Sequence, residues 1–340
     1  MHNLSTSEQE YFLKEQYSGR RALITGGLGF IGSSLAIKLV QLGCDVTVLD
    51  AMIPDYGGNT FNLAPIRDRI HINYSDITDP NSVNYLVRGK NYIFHCAGQV
   101  CHVMSLTDPF PDIAYNIKGT AVLMEACKHF NPTAKVIKTG TRGQYGPATQ
   151  LPVNELAPTN PRGIYEISTL TAEKIMKVYN DVHGVKSVLL RLTNIYGPRS
   201  QMKHSRFGVV NWFVRLALEN KNIQVFGDGS ILRDFLYIDD CVQGILMAGA
   251  TQVAEGEIFN VGDDKPTSFL ELVKKIIELV GSGSWNFSDF TPERKAQEPG
   301  DYYSDISKIR QFVGWEPKID LTEGLKRTLD YYRLNGHHYW

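Results

Sequence analysis

The sequence predicts an α/β protein: a doubly wound parallel sheet with a smaller α/β substrate lobe toward the C-terminus. Three observations carry this. Short apolar runs alternate with amphipathic stretches over the first two hundred residues. A glycine cluster separates the first such run from the first amphipathic stretch. After about residue 199 the alternation gives way to helical patterns separated by Gly- and Pro-rich loops. Strands covered by helices on both faces read as continuous apolar runs, which is the pattern of a parallel sheet.

Residues 1–19 are polar and read as a surface extension. A buried strand is expected at 21–25, then a helix over 31–42 closed by Gly43, and strands at 45–49 and 71–73. Strands at 92–96 and 135–138 continue the series, with a helix over 116–130 between them. A long helix starts near 164 and leads into a strand at 187–191. Residues 20–198 therefore form the dinucleotide-binding unit. Residues 199–340 form mainly the substrate lobe, with helices over 207–219, 239–250, 268–280 and 321–333, while 257–261 returns to the main sheet.

The chain has 340 residues, 43% apolar and 21% charged, with a formal net charge of -1. That balance gives no field attracting nucleic acid or an acidic membrane surface. No run approaches the roughly 20 apolar residues that span a bilayer, and the polar start is not a signal peptide. Cys44, Cys96, Cys101, Cys127 and Cys241 are odd in number and lack a C-x-x-C pair, so reduced thiols in a cytoplasmic protein are expected. The nine histidines show no ligand spacing, and no metal is expected.

Thr25-Gly26-Gly27-Leu28-Gly29-Phe30-Ile31-Gly32 follows a strand and opens a helix, the context in which small residues let the backbone approach a pyrophosphate at a helix N-terminus. Asp50 ends the second strand, placed to bond a ribose 2′-hydroxyl, and Ala51 supplies no cation for a 2′-phosphate. The cofactor predicted is NAD rather than NADP.

Together with Tyr165-Glu166-Ile167-Ser168-Thr169, these glycines resemble the extended short-chain dehydrogenase/reductase family, the nucleotide-sugar epimerases and dehydratases, over about residues 20–333. The resemblance is to the UDP-glucose 4-epimerase type. It implies that Gly26, Gly29, Phe30, Ile31 and Gly32 receive the pyrophosphate, that Asp76 and Ile77 border the adenine, and that Ala97 and Gly98 pass the phosphates and ribose. Asn116 joins the cofactor side. Tyr165 is the implied base for a sugar hydroxyl, and Thr141, in Thr139-Gly140-Thr141-Arg142-Gly143-Gln144-Tyr145-Gly146, bonds the same oxygen.

One position departs from the family. Its usual Tyr-x-x-x-Lys reads here Tyr165…Thr169, and threonine brings no charge to lower the tyrosine pKa. A free phenol near pKa 10 is ionised only about one part in a thousand at neutral pH. Thr169 is kept as a member of the catalytic set that bonds ribose, while Lys138, Arg142 and His102 are the candidates to replace the lost cation. Arg142 and Gly143 stand where the family's dehydratases carry Asp-Glu and its decarboxylases a Glu, which disfavours elimination and decarboxylation. Cys101 and His102 border the expected sugar site and read as a buried thiol and a hydrogen-bonded imidazole.

On the substrate side the resemblance implies Gln99, Thr141, Arg142, Asn194, Arg233 and Asp301: Asn194 meeting the sugar diphosphate, Arg233 gripping phosphate, and Asp301 accepting from a nucleotide ribose. The alternative for Arg233 is an ion pair with a neighbouring acid. Glu298 replaces the family's Arg in Arg-x-Gly-Asp, leaving Arg294 or Lys295 to supply charge. The function expected is an NAD-dependent nucleotide-sugar 4-epimerase, a homodimer through helices at about 110–130 and 164–182. Its rivals are a C4 dehydrogenase that releases the keto sugar and a non-catalytic NAD(H)-binding regulator.

Overall fold

The computed structural model describes residues 5–340, with the backbone alone at positions 293 and 297. Six of the expected strands form consecutively: β1 (Arg21–Thr25), β2 (Asp45–Leu49), β3 (Ile70–Asn73), β4 (Tyr92–His95), β5 (Lys135–Thr141) and β6 (Ser187–Leu192). Four short strands follow, β7 (Asn194–Tyr196), β8 (Asn222–Phe226), β9 (Leu232–Arg233) and β10 (Phe235–Tyr237), before β11 (Ile258–Val261). The main sheet has seven strands in the order β11-β6-β5-β4-β1-β2-β3, every neighbour parallel. The strand order reverses between β1 and β4, and the carboxyl ends of strands at such a switch form the ligand crevice of open α/β sheets.

Alternation along each strand sends side chains to two cores. Leu23, Ile93, Val136 and Leu189 meet α3 (Pro80–Leu86), α5 (Gly119–Phe130) and α6 (Ile164–His183) on one face. Ile24, Phe94, Ile137 and Leu190 meet α1 (Thr6–Tyr17), α2 (Phe30–Gln41) and α8 (Ile238–Ala250) on the other. The short helix α4 (His102–Thr107) follows β4, and α7 (Val209–Leu218) precedes β8. The C-terminal part adds α9 (Phe269–Val280), α10 (Pro292–Gln297), α11 (Ser307–Val313) and α12 (Leu321–Asn335). It also adds β12 (Thr267–Ser268), antiparallel to β9, and β13 (Ser284–Ser288), parallel to β8.

Two expectations need correction. The stretch 1–19 is not a loose extension where it is described: Ser5 and Glu8 form a capping box that starts α1. Leu13 and Tyr17 are fully buried, the Tyr17 hydroxyl donates to the Leu246 carbonyl at 2.8 Å, and Gln9 donates to the Gly314 carbonyl at 2.9 Å. Polar composition concealed the helix because only one narrow stripe faces the core. In addition, more of 199–340 serves the main sheet than the strand at 257–261, since α8 lies across β5 and β6 and α11 packs on β11.

Candidate active site

A cavity of about 800 Å³ opens at the carboxyl ends of the central strands, between the sheet and the C-terminal elements. Its cofactor end is built by close backbone approach. Gly26 has a φ of +69°, and a Cβ there would lie 2.8 Å from the Ala97 nitrogen. A Cβ on Gly32 would lie 2.3 Å from the Gly26 carbonyl oxygen, so only glycine lets α2 begin so near the turn. Gly29 caps α2 with no side-chain hydrogen bond, leaving the first-turn N–H groups of Phe30 and Ile31 at the cavity wall. The Asp50 carboxylate accepts from the Leu28 N–H at 3.0 Å and the Met52 N–H at 2.9 Å, and burial raises its pKa. Two backbone donors fix that carboxylate at the end of β2 and leave lone pairs for a ribose diol. Asp76 and Ile77 line the same wall, as do Ala97 and Gly98. Residues that hold a dinucleotide therefore fit NAD in a built cradle.

The 116–130 helix has a break that sequence periodicity did not indicate. Asp112–Lys118 forms a π-helical turn before α5, a local distortion often found at functional sites. It presents Asn116, whose Oδ1 accepts from the Gln99 N–H at 2.9 Å and whose Nδ2 donates to the Gln99 carbonyl at 3.0 Å and the Ser168 hydroxyl at 2.9 Å. Gln99 is 1% exposed, and its amide donates to the Cys101 carbonyl and the Asp112 carboxylate, each at 3.0 Å. Asn116 and Gln99 thus brace the loop after β4 against α6, and Gln99 has its amide engaged by protein rather than turned to a substrate. Burial pushes the Asp112 carboxyl up to about 6.

The catalytic candidates meet at the middle of the cavity. Tyr165 lies at the start of α6 and Thr141 at the end of β5, and both line the cavity, the Thr141 hydroxyl accepting from the Gly143 N–H at 3.1 Å. Burial, then the adjacent Glu166 carboxylate, raise the Tyr165 pKa, while Thr141 and Arg142 pull against them. Of the three candidates to replace the missing lysine, Arg142 is the one that acts on the phenol. The His102 ring abuts that of Tyr165 with centroids 4.9 Å apart, but its Nδ1 is paired with Glu166. Lys138 lies in the cavity wall, where burial lowers its pKa to about 8, and its ammonium bonds the Thr139 carbonyl. Thr169 is 5% exposed and donates to the Glu166 carbonyl at 3.0 Å, one turn from Tyr165 on the same wall.

Glu166 was not singled out from sequence. An acid in the first turn of a helix is ordinarily explained by the helix dipole alone and so carries no signal of a site. Its carboxylate reaches into the cavity edge between Gly143 and Gly163, and a Cβ on either glycine would collide with it.

At the substrate end, Asn194 lines the cavity and donates to the Asp234 carbonyl at 3.3 Å. Arg233 is 2% exposed, and its guanidinium is already engaged: it donates to the Leu232 carbonyl at 2.8 Å, to the Gly300 carbonyl at 2.6 Å, and to the Glu298 carboxylate. The ion-pair alternative is therefore what the structure contains, and the Arg233–Glu298 pair accounts for the departure at position 298. Asp301 needs correction. Among the described residues it is not part of the cavity wall, and its carboxylate accepts from the Leu232 N–H at 2.9 Å, capping β9. Arg294, stacked over Phe226 at 4.0 Å, brings its charge to the cavity, and Lys295 does not line it. No group of three His, Cys, Asp or Glu side chains comes together to hold a metal ion among the described residues.

The chain is 32% identical over 314 residues to a putative UDP-glucose 4-epimerase of Methanocaldococcus jannaschii, covering 92% of this chain and 99% of that protein. The structure of the Thermotoga maritima UDP-glucose 4-epimerase with UDP-glucose superposes with a TM-score of 0.85 at 30% identity, covering 93% of this chain and 99% of that one. A dTDP-glucose 4,6-dehydratase of Streptomyces venezuelae, solved as a double mutant with NAD bound, gives 0.86 at 26% identity, covering 94% and 98%. The model of the NAD dependent epimerase/dehydratase family matches residues 22–262, and this chain belongs to that family of NAD-dependent nucleotide-sugar enzymes.

Proposed function

We propose that this chain is a nucleotide-sugar 4-epimerase that works through a transient 4-keto sugar. The observation that carries the reading is that Thr141 and Tyr165 line the same cavity as the glycine cradle. NAD, when bound, supplies reversible hydride acceptance. Tyr165 takes the proton of the C4 hydroxyl, Thr141 fixes that oxygen, and Arg142 favours the phenolate. Thr169 bonds the ribose without adding charge. The Arg142 and Arg294 guanidinium groups meet the charged part of the substrate, with Asn194 beside them and Arg233 behind the wall.

The same reading gives a cytoplasmic homodimer joined through α5 and α6. Phe130, Ile167, Val178 and Val182 on these helices are 40–68% exposed, and all five cysteines are free. The testing experiment mixes purified protein with UDP-glucose or dTDP-glucose, following nicotinamide absorbance and sugar configuration. Isomer exchange without net NADH supports the epimerase. Steady NADH accumulation replaces it with the dehydrogenase. Binding of NAD with no turnover, unchanged in Tyr165→Phe, replaces it with the regulatory protein.

A further inference from the structure

Lys138 is a buried cation for which the described residues supply no counter-ion. Its side chain is 5% exposed and lines the cavity, and burial lowers its pKa to about 8, which leaves the ammonium form dominant at neutral pH. Among the described residues its one hydrogen-bond acceptor is the Thr139 carbonyl at 3.3 Å, and no carboxylate pairs with it. An ammonium has three donors, so most of its bonding capacity is unused. The titratable groups beside it are neutral. Burial holds the Cys96 thiol at about 11. Both His95 ring nitrogens are engaged, by Thr25 at 2.8 Å and Thr120 at 2.9 Å, and burial and the Lys138 charge lower the His95 pKa. A charge taken out of water is costly unless a partner completes it.

Register and alternation fix the side on which Lys138 leaves the sheet. It pairs with His95 across β4 and β5 and shares a face with Val136, two residues before it. Val136 packs in the core under α5 and α6, and His95 reaches Thr120 on α5. Lys138 therefore leaves β5 on the side of α6, the helix that places Thr169 in the same cavity wall. Its bond to the carbonyl of the next residue turns the ammonium toward the carboxyl end of the sheet, where the cavity opens.

Sheet order supplies the partner. The glycine turn after β1 suits a pyrophosphate, and Asp50 after β2 suits the adenosine ribose, so the adenosine half belongs toward β2 and β3. In the order β5-β4-β1-β2-β3 the other half of the dinucleotide then runs over β4 to β5, the strand that carries Lys138. We propose that Lys138 is a cofactor-binding cation of this site, reaching from β5 into the space that Thr169 leaves uncharged on α6 and donating to the nicotinamide ribose hydroxyls when NAD is bound. Two basic residues then divide the work, Arg142 acting on the Tyr165 phenol and Lys138 on the cofactor. The oxidised nicotinamide ring is positive and the reduced ring neutral, so a fixed ammonium beside it favours binding of the reduced form. Nothing in this assignment depends on which sugar reacts.

The experiment equilibrates the purified protein, without sugar, with mixtures of NAD and NADH, removes unbound nucleotide, and quantifies by chromatography the two forms released in urea. The expected result is a ratio of NADH to NAD affinity that falls about tenfold in Lys138→Met. Adding Thr169→Lys to that variant returns the ratio toward the wild-type value, because it puts a cation back from the facing helix. Lys138→Gln should fall as Lys138→Met does, and it keeps the test available if the methionine variant does not fold. An unchanged ratio in a folded Lys138→Met or Lys138→Gln protein overturns the proposal. A fall that Thr169→Lys does not reverse assigns the change to packing and overturns it as well. Because no sugar is present, either failure leaves the epimerase reading standing, and that reading can fail while the ratio behaves as expected.

Discussion

Tyr165 lies within reach of two carboxylates that raise its pKa, Glu166 and Asp112, and one guanidinium that lowers it, Arg142. A base that must lose a proton to act gains activity as pH rises toward its pKa, and this pKa is raised above the ordinary phenol value. Turnover is therefore expected to climb from neutral into alkaline pH. Thr169→Lys places a cation one helical turn from the phenol and should move that climb to lower pH, with about a tenfold gain in ionised fraction per unit moved. Arg142→Gln should move it the other way, and a kcat–pH profile of both variants checks the pair of shifts. Tyr165→Phe should lower turnover by about 10²-fold or more while NAD still co-purifies. The glycine turn was legible because backbone approach demands glycine at Gly26 and Gly32 whatever the rest of the chain does. Glu166 was not, because its position is defined by empty space at Gly143 and Gly163, which are distant from each other in sequence.

The helix that carries Tyr165 and Thr169 is held to the sheet by an ion pair almost free of solvent. Arg191 on β6 meets Glu173 on α6 through Nε–Oε2 at 2.9 Å and Nη2–Oε1 at 2.7 Å, with side chains 2% and 4% exposed. Tyr145, after β5, covers the guanidinium at 4.6 Å. Removing one partner strands the other charge, so Glu173→Ala is expected to destabilise the protein by about 3–5 kcal/mol, read as a lower urea midpoint. The same loss should loosen α6 and reduce turnover along with stability. At this scale periodicity gave the existence of α2, α6, α8, α9 and α12 reliably, since each buries one broad apolar face. It missed α1, whose helix buries only a stripe, and the π turn at Asp112–Lys118, whose Asn116 bonds Gln99 and Ser168 in contacts that local periodicity does not reveal.

Across the whole molecule the sheet's switch point, the glycine turn after β1 and the hydroxyl pair at the end of β5 and the start of α6 converge on one cavity. That convergence was legible because a parallel sheet brings all its carboxyl ends to one edge. The phosphate end was less so, because Arg233 pairs with Glu298 while Arg233 and Asp301 both bond the Leu232 backbone, in ways that spacing does not reveal. The apolar residues exposed on α5 and α6 lead to an expected solution mass near twice 38.2 kDa by light scattering, falling toward the monomer in Val178→Asp. This site is expected to carry a sugar through a ketone and back. Its most direct measurement is nicotinamide absorbance together with sugar configuration after UDP-glucose or dTDP-glucose is added to the purified protein. Exchange at C4 with no net NADH, lost in Tyr165→Phe, is the expected result. Steady NADH accumulation, or no chemistry with NAD bound and no difference from Tyr165→Phe, would contradict it.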